Sequence, residues 1–305
     1  MHWLFIAIIS PLLSSIIHHT DKYLLSKFTR EHSIGSLILF SSLFPIVILP
    51  FFSLSREKLF ALSSGNIFTL TAAGILSALS LLFYFYALEE EETSLIAPMF
   101  QLTPIFGYIL GILVFNEMLN PSKILGAIVV ILGATILSFE FEEEGGLRFK
   151  IKPTLLMLAA SLLLALNDSM FKKVAMQDGS YATSMFWVLV GSVAFGLALF
   201  CFAKNYRKSF LATIEVHGKK IIGVNLFNEL LQTLATFAFN YALLLAPLAL
   251  VLLVDAYQPL FVFIIGIILT KYFPHIATEK ISLRHILHKV LAVTLLVIGS
   301  AFVYS

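Results

Sequence analysis

A chain of 305 residues in which 59% are hydrophobic and only 12% charged has too few polar groups to coat a soluble domain of its size, so most of its surface must face lipid. The net charge of +2, with Lys and Arg scattered through short connectors, excludes a polyanion-binding surface and with it a nucleic-acid partner. A lone cysteine, Cys201 in an apolar run, cannot form an internal disulfide.

A hydrocarbon core of about 30 Å takes about 20 mostly apolar residues as helix, and ten such runs lie between charged connectors. The first, 3 to 25, opens on Met1-His2-Trp3 without the basic stretch and cleavage site of a secretory signal, and is expected to remain in the mature protein. It ends on His18-His19-Thr20-Asp21-Lys22, with His18 and Lys22 one helical turn apart. Runs two and three cover 33 to 53 and 66 to 88; the latter sets Ala73, Ser77, Ser80 and Tyr84 on one face. The acidic stretch Glu89 to Glu92 that follows reads as a solvated turn. Run four, 94 to 116, carries Gln101, Thr103 and Pro104, and run five covers 121 to 139.

The connector from Glu140 to Lys152, charged and broken by Gly145-Gly146, divides the runs five and five. Run six, 153 to 175, contains Asn167-Asp168-Ser169-Met170-Phe171-Lys172, in which Asp168 and Lys172 are spaced for an ion pair along the helix. Run seven covers 182 to 203. Run eight, 220 to 243, holds Asn225, Asn228, Glu229, Gln232, Thr233, Thr236 and Asn240; positions 225, 229, 232, 236 and 240 step by three and four and form one polar stripe. Run nine, 247 to 270, places Asp255 about mid-span, ahead of Tyr257, Gln258 and Pro259. The proline has no amide hydrogen for the carbonyl upstream, so the helix is expected to distort there. Run ten covers 285 to 304. His275, His285 and His288 lack the spacing of a metal-ligand set, and neither metal nor cofactor is expected.

A polar or ionisable group inside a span costs about 2.5 to 3.5 kcal/mol and turns towards a cavity or another helix. Tyr84, Gln101, Asn225, Glu229, Gln232, Asp255, Tyr257 and Gln258 are therefore the expected lining of a small-molecule site between helices one, three, four, six, eight and nine. His18, Lys22, Asp168, Lys172 and Asp255 are the expected gating or coupling set. Interhelical hydrogen bonding without cargo competes for the polar stripe and for Asp255, and an ordinary helix-end lysine reaching the interface competes for Lys22 and Lys172. An ionised, unpaired carboxylate at the depth of Asp255 is costly, which makes it the expected place for a coupling proton or sodium ion, or for a charged group of the solute.

The halves repeat. Tyr86-Ala87-Leu88 recurs as Tyr241-Ala242-Leu243, Pro104-Ile105-Phe106 as Pro259-Leu260-Phe261, and Gly111 as Gly266, all at an offset of 155. Gly126 and Gly133 return as Ala292 and Gly299 with their spacing kept, and Lys22 matches Lys172 at an offset of 150. Because each half holds an odd number of helices, the second must cross the membrane in the opposite sense, which predicts an inverted-topology repeat. The expected fold is all-α, with 1 to 140 as the first five-helix repeat, 141 to 152 as connector and 153 to 305 as the second.

The run from Gly111 through Glu117, Gly126 and Gly133 resembles the EamA-type members of the drug/metabolite transporter superfamily, whose halves have a Glu just past the fourth helix and two spaced glycines in the fifth. The resemblance implies a secondary transporter that moves a small metabolite or drug-like solute by alternating access, multi-pass in a prokaryotic cytoplasmic membrane. It names a mechanism rather than a cargo. In the second half Tyr272 stands where Glu117 would recur, and a Glu follows only at Glu279.

A membrane-embedded lipid-linked transferase is the rival class. No His-Glu-x-x-His, Gly-x-Ser-x-Gly or Gly-rich phosphate loop supports it, and an enzyme is not expected. A channel would need a ring of like residues or a filter, which one chain with inverted halves does not supply. The distribution of Lys and Arg places the first connector in the cytoplasm and both termini outside, whereas the resemblance implies termini inside.

Overall fold

In a hydrocarbon solvent every backbone amide and carbonyl must be satisfied within its own segment, and these apolar runs accordingly form helices. The computed structural model describes residues 2–28, 33–54, 58–90, 99–100, 102–138, 151–178, 180–272 and 283–304, and no strand occurs among them. We number the helical rods α1 (His2–Ala7 and Ile9–Phe28), α2 (Ser33–Leu43 and Pro45–Ile48), α3 (Ser64–Glu90), α4 (Leu102–Phe115), α5 (Pro121–Ser138), α6 (Ile151–Asp178), α7 (Tyr181–Phe202), α8 (Lys204–Leu243), α9 (Leu248–Val254, Asp255–Tyr257 and Gln258–Tyr272) and α10 (Leu283–Tyr304). Among the described residues six stretches, in α1, α2, α3, α6, α7 and α9, are long and apolar enough to cross a membrane; Leu102–Phe115, Pro121–Ile136 and Val290–Val303 are shorter apolar helices. The protein is a multi-pass integral membrane protein.

The breaks in the rods have local causes. Pro11 follows the interruption of α1 at Ile8, where a proline ring crowds the carbonyl four residues upstream. Pro45 restarts α2 after Phe44. Ahead of Pro259 the chain tightens into a 3-10 turn over Asp255–Tyr257, with the Gln258 amide donating to the Asp255 carbonyl, so the carbonyl that proline leaves without an α-helical donor is satisfied one residue earlier. The span predicted from 220 starts earlier than expected. The basic segment Lys204 to Lys208, read as a connector, is helical and runs into the span through a kink at Gly218, whose φ of 52° suits a residue without a side chain.

The packing pairs are reciprocal. α1 lies on α8 and α9, and α6 on α3 and α4; α2 lies on α8, and α7 on α3; α5 meets α10, α4 meets α9, and α2 meets α7. Exchanging each helix for its counterpart five places away turns the contacts of α1 into those of α6 and that of α2 on α8 into that of α7 on α3, and returns the last three to themselves. The α5–α10 contact shows the same exchange at residue level: a methyl on Gly126 would lie 2.7 Å from the Gly299 carbonyl, and one on Gly133 would lie 3.0 Å from that of Ala292. Small residues here let two antiparallel backbones touch, as the repeated spacing implied.

Seven consecutive residues, Leu248 to Val254, are buried on all sides, so the first half of α9 is the hub of the bundle. A helix apolar all round needs neighbours all round. Gly107 of α4 makes room for it, since an added methyl would lie 2.1 Å from Leu252 Cδ1. The opposite surface is apolar and outward: Leu113, Leu132, Leu234 and Val297 are all more than half exposed, which is stable only against lipid.

Candidate functional site

The polar groups gather in two layers beside α9 and on one face of α8. The outer layer begins where α4 ends. Asn116 takes a left-handed conformation, φ 54°, one of the few non-glycine residues that does so readily. Its amide donates to the Ile112 carbonyl at 3.2 Å, and the Glu117 amide donates to Gly111 at 3.0 Å. This cap turns Glu117 back into the protein. Lys172 of α6, 2% exposed, donates to Glu117 Oε1 at 2.6 Å and to the Ala246 carbonyl at 2.7 Å, with its ammonium 5.1 Å from the Phe115 ring centroid. Glu117 Oε2 accepts from the Leu248 amide at 2.7 Å, at the start of α9. A buried ammonium is tolerated because a carboxylate, a carbonyl and a ring face surround it.

One turn deeper on α6 is Asp168, 3% exposed, whose Oδ1 accepts from the Asn167 amide at 2.8 Å. Among the described residues its Oδ2 and the Asn167 Oδ1 have no hydrogen-bond partner. The expected Asp168–Lys172 pair along the helix is not formed: the lysine binds Glu117, whose carboxylate the cap at Asn116 turns towards it. On α9 the partly buried Asp255 accepts from Ser10 of α1 at 3.4 Å. Ser15 donates to the Gln258 carbonyl at 3.2 Å and His19 Nε2 to that of Val262 at 3.0 Å. These three contacts advance together along both chains, so α1 and α9 run parallel, and the α9 distortion lies against the start of α1.

On α8 the apolar residues Leu226, Phe227, Leu230, Leu234 and Tyr241 are exposed. At about 100° per residue they share one side of the helix. Gln232 is also exposed, yet it stands on the opposite side, among the buried Asn225, Asn228, Glu229, Ala235 and Phe239. Its exposure is therefore on the side of α8 away from those apolar residues. Gln232 Nε2 donates to Thr236 at 3.3 Å, Glu229 accepts from Ser41 of α2 at 2.6 Å, and Asn240 donates to the sulfur of Met185 at 3.2 Å. The predicted stripe thus divides: Asn225, Glu229 and Asn240 are enclosed by neighbouring helices, while Gln232 is exposed and Thr236 partly buried.

The remaining candidates are placed as follows. Tyr84 is partly buried, its ring 5.0 Å from that of Phe100, and Ser80 on its face is spent on the Ala160 carbonyl at 2.8 Å. Tyr257 hydrogen-bonds Ser300 of α10, and Gln258 is partly buried. His18 is partly buried on α1. Gln101 and the Lys22 side chain lie outside the described residues, as does Glu279. Sequence reasoning missed Ser10, Ser41 and Asn167 as partners and did not place Glu117 in the site. The signal for Glu117 was a carboxylate at a helix end in an otherwise apolar stretch; the serines had no signal, since nothing in the sequence shows which face meets which.

Residues 1–139 match the EamA-like transporter family. No curated protein matches the chain at comparable significance. One solved crystal structure of a protein covers 100% of this chain and 98% of its own, with a TM-score of 0.66 at 14% identity; a likeness at that identity speaks for the fold alone.

Proposed function

We propose, from the match of its first 139 residues to the EamA-like transporter family, that the protein is a secondary transporter of the drug/metabolite transporter superfamily that moves a small metabolite or drug-like solute by alternating access. All ten rods cross the bilayer, residues 1 to 140 and 153 to 305 being inverted five-helix repeats. The observation that carries this reading is the reciprocal packing, in which α1 on α8 and α9 exchanges with α6 on α3 and α4, and α2 on α8 with α7 on α3. Two halves related in that way can trade conformations and open a central site first to one side and then to the other.

The solute site lies inward of α8 at Gln232, with Asn225, Glu229, Tyr84, Gln101, Tyr257 and Gln258 around it, and the Glu117–Lys172 pair holds one end shut. His18 and Lys22, the counterparts of Asp168 and Lys172, serve the opposite mouth. Asp255 carries the coupling proton or a charged group of the solute. The chain acts as a carrier rather than an enzyme. A thermal-shift screen of metabolites on the purified protein identifies the solute class, and uptake of that solute into proteoliposomes tests the reading. Saturation with counterflow is the expected result; linear uptake without counterflow would overturn it.

A further inference from the structure

We infer that residues 204 to 217, the part of α8 ahead of the kink at Gly218, form an anchor in the plane of the membrane that binds anionic phospholipid headgroups through Lys204, Arg207 and Lys208. The pairing of α8 with α2 sets the depth of this segment. Glu229 meets Ser41 and Phe237 meets Phe52, so the two helices run parallel, and counting back along both puts Gly218 level with the beginning of α2. The other end of the segment is at the same level. A methyl on Gly35 would stand 2.7 Å from Tyr206 Cδ1 and 2.8 Å from its Cα, and the Tyr206 hydroxyl meets that of Tyr86 near the end of α3. A rod about 20 Å long with both ends at one level runs across the bundle rather than through it. Phe210 holds it down from within, its ring 4.8 Å from that of Phe40 on α2 and 6.2 Å from that of Phe200 on α7.

The segment has two faces. At about 100° per residue, Tyr206, Phe210, Thr213 and Ile214 share one side and are half-buried, whereas Lys204, Lys208, Leu211 and Glu215 share the other and are exposed. Arg207 is half-buried at the border. The cations follow directly on Phe202, 90% exposed at the end of α7, and Leu211, 50% exposed, comes next. Cations set among apolar side chains at the level where a span ends suit a helix whose apolar groups enter the acyl boundary while its charges meet phosphate. No carboxylate among the described residues pairs with Lys204, Arg207 or Lys208, so their charge is left to a headgroup. Charge complementarity favours the anionic lipids, because a zwitterionic headgroup brings an ammonium of its own. The corresponding connector of the first half differs: its described residues 58 to 63 are not helical and contain a single cation, Lys58. The anchor therefore belongs to one end of the bundle.

Native mass spectrometry of the full-length protein, titrated with phosphatidylglycerol and with phosphatidylcholine of the same acyl chains, tests this without knowledge of the solute. Phosphatidylglycerol should be retained at the lower concentration, and raising the ionic strength should erode the preference by screening. Replacing Lys204, Arg207 and Lys208 together by Gln should weaken phosphatidylglycerol binding about a hundredfold, about fivefold for each cation at the surface, and leave phosphatidylcholine unaffected. Lys204→Arg with Lys208→Arg should keep the preference, as should Lys58→Gln on the other connector. Equal retention of the two lipids by wild type, a preference indifferent to salt, or wild-type affinity in the triple Gln variant would overturn the anchor. So would displacement of the lipid by millimolar glycerol phosphate, which would make this a site for a soluble anion. The wild-type comparison does not depend on how the variants fold, and failure of the uptake assays would sink the carrier reading and leave this result standing.

Discussion

The ammonium of Lys172 and the carboxylate of Glu117 meet at 2.6 Å across the two halves of the chain, and the same carboxylate accepts from the backbone amide of Leu248 where α9 begins. The two partners are unequal, since Lys172 is 2% exposed and Glu117 20%. Glu117→Gln strands the more deeply buried charge and should destabilise the protein by about 3 kcal/mol. Lys172→Met leaves a carboxylate with some water and an amide donor, and should cost less. The double variant should recover most of the loss, as replacing both members of a buried pair generally does. Unfolding in detergent for the three variants measures the order. If the pair is also a gate, Lys172→Met should raise the rate of solute exchange in proteoliposomes.

Gly74 and Gly65 lie on the same helix and should respond oppositely to alanine. A methyl on Gly74 would stand 1.9 Å from the Val188 carbonyl of α7, whereas nothing lies within 4 Å of one on Gly65. Gly74→Ala must push α3 and α7 apart and should cost at least about 1 to 3 kcal/mol. Gly65→Ala should be neutral or stabilising by up to about 1 kcal/mol, through the greater helix preference of alanine. Melting temperatures of the two variants check the contrast.

Gln232 and Leu234 are both exposed on α8 but on opposite sides of it. Gln232→Ala should weaken solute binding by about fivefold, the worth of one hydrogen bond of about 1 kcal/mol, while Leu234→Ala on the lipid side should leave affinity unchanged. Titration of the solute found by thermal shift, by its effect on melting temperature or by calorimetry, compares them. Equal effects would remove the inward assignment of Gln232.

Asp255 stands where the other half has Phe100, an asymmetric carboxyl in a repeated frame. Asp255→Asn keeps the shape of the acid and its hydrogen bond with Ser10 but carries no exchangeable proton. Gradient-driven uptake should fall to background, with exchange of solute on the two sides retained. Uptake under an imposed pH gradient, measured beside counterflow in the same vesicles, separates the two. Unchanged gradient-driven uptake would reduce Asp255 to a structural hydrogen-bonding group.

Much of the architecture was legible because lipid removes choices. A run of about 20 apolar residues in a hydrocarbon core has no alternative to helix, and the predicted spans that fall on described residues coincide with observed rods to within a few positions. The exception, α8, was misjudged at its start because a basic amphipathic helix end and a basic connector have the same composition. The distortion ahead of Pro259 was equally legible, since a missing amide hydrogen is a property of the residue itself. So was the close contact marked by Gly126, Gly133, Ala292 and Gly299, because only small residues at that spacing let helices touch.

By itself, then, the sequence determined the helices, the distortion ahead of Pro259, the small-residue contact and the set of polar groups that could matter. The tertiary structure decided which of those groups meet. Spacing along α6 favoured Asp168 for Lys172, yet the lysine binds Glu117, 55 residues away, because the cap at Asn116 swings that carboxylate inward. The polar stripe of α8 looked uniform, but neighbouring helices enclose Glu229 and Asn240 and leave Gln232 open. Within one helix a side chain's reach is set by local geometry and can be read from residue order. Between helices it depends on rotation and approach, fixed by the packing of all the rods at once around the buried start of α9, and no single stretch of sequence contains that information.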